Sequence, residues 1–150
     1  MTNSKTQTRS LARLMAVQAL FEIEASRRPF TEVVAEIIEQ DQSSLLDADV
    51  EPTAFDRKLV QNLVHDAIHN QIKIDQNTNT ILKDGWPLAK VDPILRAIFR
   101  AAGAELIGST TPPKVVINEY LDVTKAFDDR KETVSFVNAI LDRLNKALAA

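Results

Sequence analysis

Residues 114–127 read KVVINEYLDVTKAF. The stretch opens as a buried strand would, with Val115, Val116 and Ile117, and then turns polar at Asn118 and Glu119. Spacing decides between strand and helix. At ~100° per residue, Val116, Ile117, Tyr120, Val123, Thr124 and Phe127 fall on one side of a helix, and Asn118, Glu119, Asp122 and Lys125 fall on the other. A strand would alternate, and this segment does not. Pro112 and Pro113 stand where a helix start tolerates missing N–H donors. The segment therefore reads as an amphipathic helix, with Asn118 and Glu119 turned away from its apolar stripe.

The same reasoning extends in both directions. Residues 1–7 are polar and are expected to be frayed or extended. A helix is expected over about 8–27, where Leu11, Leu14, Met15, Val17, Leu20, Phe21 and Ile23 nearly encircle the axis, as in a helix central to a core. Pro29 ends it, and Thr31 with Glu32 starts a second helix over 31–41. Residues 42–52 read as a loop, with Thr53 as a plausible N-cap for the third helix. Two helices are expected over 54–72 and 72–84, ended by Gly85-Trp86-Pro87, where Trp86 suits a packing anchor. Asp92-Pro93 opens a helix running to about Ile107, and Gly108-Ser109-Thr110 is a loop. After Asp128-Asp129 a last helix covers 131–148, with Val137, Ile140, Leu141, Leu144 and Leu148 as its stripe. No internal repeat or heptad pattern is visible. The expected fold is all-α, a compact bundle of six to seven helices in a single domain spanning 1–150.

Composition agrees. The chain has 150 residues, 45% of them hydrophobic, and only three glycines, which fits one globular domain able to bury a core. Without cysteine there is no disulfide framework, thiol nucleophile or cysteine zinc site. No apolar run reaches the ~18 residues of a membrane span, and the N-terminus lacks the apolar core of a secretory signal. A cytoplasmic location fits best. The net charge of −3 conceals segregation. Lys5, Arg9 and Arg13 are the only charges in residues 1–21. Glu32, Glu36, Glu39, Asp41, Asp47, Asp49, Glu51 and Asp56 then come with no basic residue among them. These are either two distinct surfaces or two ordinary solvated faces.

Three constellations could carry chemistry. His65-Asp66-Ala67-Ile68-His69 places two histidines at i and i+4, as on a zinc-binding helix, with an acid after the first. No third ligand is evident, however, and Lys58, Asn62 and Lys73 share their face, which reads as solvated. Lys5, Arg9 and Arg13, four apart, form a ladder of cations with ~6 Å between rungs, able to follow a phosphate backbone or simply to solvate a helix start. Phe136 lies at the edge of the last helix's stripe beside Glu132, Ala139 and Arg143. It is either a core residue at the rim or a half-exposed ring able to stack on an unpaired base. There is no Gly-rich phosphate loop and no nucleophile elbow, and the sequence calls for no enzyme and no cofactor.

Several pieces then line up in order: R-x-x-x-R-x-x-A-V-Q-A-L-F at 9–21, E-L at 105–106, P-x-K-V-V-I-N-E at 112–119, K-A-F at 125–127 and F-V-N-A-I-L-D at 136–142. Together they resemble the NusB family of transcription antitermination factors, from about Arg9 to Leu144. The resemblance implies an all-helical fold without catalysis. It implies binding of boxA, a short single-stranded RNA element, together with the ribosomal protein NusE, in a complex that keeps RNA polymerase elongating. It implies RNA contacts from the basic N-terminus, matched here by Arg9 and Arg13 with Lys5 continuing the ladder, and from Phe136 with Glu132 at its edge. Phe21 and Arg100 match positions of the partner interface loosely. Members can be monomers or self-associate as homodimers. The sequence also departs from the pattern. Ser10, Leu11 and Ser135 stand where basic residues are frequent, and Ala139 replaces a glycine. Fewer cations imply weaker phosphate binding and a shallower salt dependence.

Two other readings stay open. One is a helical adaptor that docks a protein through the acidic 32–56 block or the Asn118 face, without RNA. The other is the NusB-like domain that begins some ribosomal RNA methyltransferases, which the expected end of the chain at Ala150 disfavours.

Overall fold

Each apolar stripe forms a helix. The computed structural model describes residues 5–43, 55–82 and 87–149. Among them are seven α-helices and no strand: α1 Lys5–Ser26, α2 Phe30–Ser43, α3 Arg57–His69, α4 Gln71–Ile81, α5 Pro93–Gly108, α6 Pro113–Phe127 and α7 Lys131–Ala149. A short 3-10 turn at Leu88–Lys90 precedes α5. No helix among the described residues is long and apolar enough to cross a membrane.

The helix ends reflect local chemistry, and they correct the expected boundaries in several places. α1 begins at Lys5, so residues 5–7 are helical rather than frayed. α2 runs to Ser43, past the expected end at 41. The rest of the expected 42–52 loop, with Thr53 and most of the Gly85-Trp86-Pro87 break, lies outside the described residues. α3 starts at Arg57 because the Asp56 carboxylate accepts the Leu59 N–H at 2.9 Å. Asn70, with its backbone N–H on the Asp66 carbonyl at 2.9 Å, separates α3 from α4. Asp92 caps α5 by accepting the Ile94 N–H at 2.9 Å, with Pro93 in the first turn as its sequence requires. Arg27 closes α1 in the left-handed region, φ 58°, its N–H bonded to the Ile23 carbonyl at 2.8 Å.

The bundle is assembled on α5, which packs against α1, α3, α4, α6 and α7. Its buried positions, Ala97 to Phe99 and Ala101 to Glu105, surround the axis, as expected of a helix enclosed on all sides. Small residues let neighbours approach closely: a Cβ on Gly103 would lie 2.9 Å from Cγ2 of Ile74 in α4. α1 is the second internal helix, packed on α2, α3, α5 and α6. Its large apolar residues do not line it evenly, however. Ala12, Ala16, Val17, Ala19 and Leu20 are buried, while Phe21 remains 36% exposed. In α6, Val116, Ile117, Tyr120, Val123 and Thr124 are all buried, as the stripe of KVVINEYLDVTKAF requires.

Candidate RNA interface

α1 and α3 run side by side in the same direction. The Thr8 carbonyl accepts the Asp56 N–H at 3.1 Å where α3 begins, and a cleft further on is lined by Leu20 and Ile23 from α1 and Ile68 from α3. α1 and α5 run oppositely: Arg13 meets Glu105 near the end of α5, and Glu24 meets Arg96 and Arg100 near its start.

This arrangement divides the expected cation ladder. Lys5 is exposed and Arg9 partly so. Arg13 is not on the surface: its side chain is 4% exposed and that of Glu105 2%. The guanidinium donates from Nε to Glu105 Oε1 at 2.9 Å and from Nη2 to Oε2 at 2.7 Å. Tyr120 donates its hydroxyl to the same carboxylate at 3.0 Å. Arg13 Nη1 lies 3.6 Å from Glu119, and Ser10 donates to the other Glu119 oxygen at 2.9 Å. Three helices are thus joined through two carboxylates. Burial by itself would lower the pKa of Arg13, but Glu105 outweighs it and the guanidinium is held above its ordinary value. Burial, with the Glu105 charge beside it, raises the Tyr120 hydroxyl well above its own. Arg13 is thus not the exposed rung that the cation ladder led one to expect, because its guanidinium is enclosed and paired.

Phe136 sits at the rim, as its spacing predicts. One edge packs on Phe99, ring centroids 6.2 Å apart at 63°. The ring also lines a cleft of about 550 Å³ with Val91, Asp92, Leu95, Arg130, Glu132 and Thr133. Glu132 is exposed beside it. Arg130 is held by Asp128, Nε to Oδ1 at 3.0 Å and Nη2 to Oδ2 at 2.7 Å, and the same carboxylate accepts the Thr133 hydroxyl at 2.8 Å. These bonds push the Asp128 carboxyl well below the usual carboxylate range. Along α5, the Phe136 ring contacts Phe99, about six residues or ~9 Å before Glu105, where Arg13 of α1 is bound.

Arg100 stands on the opposite wall of the α5 start. It binds Asp75 through Nε and Nη2 at 3.0 and 2.9 Å and also pairs with Glu24, which Arg96 shares. Burial would lower the pKa of Arg100, but the two carboxylates raise it. The hydrogen bond from Arg96 lowers the Glu24 pKa, with Arg100 adding to it against the cost of burial. This network lines a second cleft of about 550 Å³ with Leu20, Ile23 and Leu88. Phe21, 36% exposed on α1, is not one of the residues lining this cleft.

The histidine pair is a surface feature. His65 and His69 stack with centroids 6.0 Å apart, His65 Nδ1 lies 3.3 Å from Asp66, and both rings are exposed. No group of three or more histidine, cysteine, aspartate or glutamate residues able to hold a metal ion occurs among the described residues. The acidic block is not free of cations either, since Arg28 bridges Glu32 and Glu36.

Sequence reading missed the Glu105–Tyr120 hub and the first turn of α3. Glu105 sits on a helix otherwise apolar at its buried positions, and a lone acid there signals a buried partner. The bond between Thr8 and Asp56 brings exposed Arg57 and Lys58 to the Lys5 end of α1, with Arg57 over the Phe55 ring at 5.8 Å. Only the fold could reveal that.

Residues 10–146 match the model of the NusB family. The chain belongs to the NusB family. It is 39% identical to the transcription antitermination protein NusB of Gluconobacter oxydans over 96% of this chain and 90% of that protein. It is 38% identical to that of Caulobacter vibrioides over 96% of each. Among solved structures it is similar to NusB of T. maritima, with a TM-score of 0.75 at 24% identity, covering 97% of this chain and 93% of that one. It is also similar to a chain in a crystal structure of the antitermination factors NusB and NusE in complex with dsRNA, with a TM-score of 0.73 at 23% identity, covering 92% and 96%. These likenesses establish the NusB fold. The curated relatives are named for transcription antitermination.

Proposed function

We propose that this chain is a cytoplasmic antitermination factor. It binds a boxA-type single-stranded RNA together with a NusE-type ribosomal protein, and the pair keeps the RNA polymerase elongation complex processive on ribosomal RNA transcripts. The observation that carries this reading is full-length kinship with proteins named for antitermination. A fold relative in complex with NusE and RNA supports the choice of partners. Lys5 and Arg9 contact phosphates, and Phe136 stacks on a base with Glu132 at the edge of its cleft. Phe21 and Arg100 belong to the partner face. Arg13 supports the site from inside.

The test is binding of a labelled boxA RNA, with and without the NusE-type protein, over a range of salt, with the stoichiometry of the free chain read alongside. Salt-dependent binding that tightens with the partner is the expected result. Capture of the partner with no RNA in either condition overturns the RNA reading in favour of a helical adaptor, which the reduction of the cation ladder to Lys5 and Arg9 favours. Self-association at the RNA face would weaken binding as the chain's own concentration rises.

A further inference from the structure

We infer that Ser10 and Glu119 act as positioning residues for the cationic turn of α1, setting Lys5 and Arg9 before any RNA arrives. The inference rests on the RNA-binding reading above and adds to it how the surface is held. The Ser10 hydroxyl, beside Arg9 in the sequence, donates to Glu119 in α6 at 2.9 Å. That bond lies one turn before Arg13, whose guanidinium Glu119 also approaches at 3.6 Å. Two anchors therefore hold the start of α1: the Ser10 side chain on α6, and the Thr8 carbonyl on the Asp56 N–H. Everything before Thr8 extends beyond them. Arg9 lies between the two anchors and Lys5 one turn ahead, so the direction of both cations depends on them. A helix start left free would have to be ordered by the RNA, at the cost of affinity.

Ser10→Ala tests this cleanly because it changes no charge. Alanine is also the better helix former, which offsets part of the lost hydrogen bond in global stability. The expected result is about five- to tenfold weaker boxA RNA binding, the ratio for ordering roughly one residue's backbone. The salt slope becomes shallower by about 0.7 for each cation disengaged, and the amides of residues 9–11 exchange faster while those of α5 do not change. Unchanged exchange at 9–11 overturns the proposal whether or not RNA binds, whereas absence of RNA binding by the wild-type chain overturns the RNA reading itself. Glu119 supplies the sign. As a positioning group its removal in Glu119→Ala weakens binding, and Glu119→Gln, which keeps an acceptor for Ser10, restores it. As a mere anion near the RNA path, its removal would strengthen binding in both variants, and that outcome also overturns the proposal.

Discussion

Arg13 and Phe136 are both one residue from a decision between core and surface, and the structure sends them opposite ways. The Arg13 side chain spans from α1 to α5 and is 4% exposed. Arg13→Ala is therefore expected to lower stability by about 3–5 kcal/mol, the cost of leaving Glu105 buried without its cation, measured as a shift of the urea midpoint. Replacing Arg13 and Glu105 together by Met and Leu should recover only part of that loss, because the buried Tyr120 hydroxyl then has lost its acceptor. Phe136→Ala is expected to weaken RNA binding by ~1–3 kcal/mol through lost stacking while leaving the salt slope in place, because no phosphate contact is removed. A large change of slope would show that the ring does not act by stacking. The rim position of Phe136 was legible from its offset to Val137 and Ile140. The burial of Arg13 was not, because an arginine every fourth residue looks the same whether its partner is water or a glutamate 92 residues away.

At the scale of elements, α5 tolerates its neighbours because its side chains are small. Gly103→Ala would press a Cβ against Cγ1 and Cγ2 of Ile74, a β-branched and fully buried residue with little room to turn. The expected cost of overpacking, ~1–3 kcal/mol, exceeds the ~1 kcal/mol that alanine returns in helix propensity, so the variant should melt lower. Gly108→Ala on the same helix meets only Asp66 Oδ2 at 3.5 Å and should be neutral or mildly stabilising. The helices themselves were legible from apolar spacing, and Asp92-Pro93 marked a true start. The α3 boundary was less so, since Asp56 and Thr53 are both good caps by type and only the bond to Leu59 distinguishes Asp56.

For the molecule as a whole, stability should depend on pH through the Glu24 network. The folded pKa of Glu24 lies below its ordinary value. Its contribution is therefore fully present above the unfolded carboxylate value of about 4.3 and is lost as pH falls through the lowered folded one. Glu24→Gln should be less stable than wild type at neutral pH, with the gap closing in acid, read from urea midpoints between about pH 7 and pH 3. The bundle could be read from the sequence because each helix carries its own stripe, but the joining of α1, α5 and α6 could not, because it depends on charges that meet only across the fold. That joining has a consequence for synthesis. α1 leaves the ribosome well before the residues that accept its arginine and its serine, Glu105 and Glu119, which lie 92 and 109 residues further along. The Arg13 guanidinium must wait for α5 and the Ser10 hydroxyl for α6, although α2 and α3 cover part of the helix earlier. The NusB bundle therefore cannot close around α1 until α5 and α6 have both emerged.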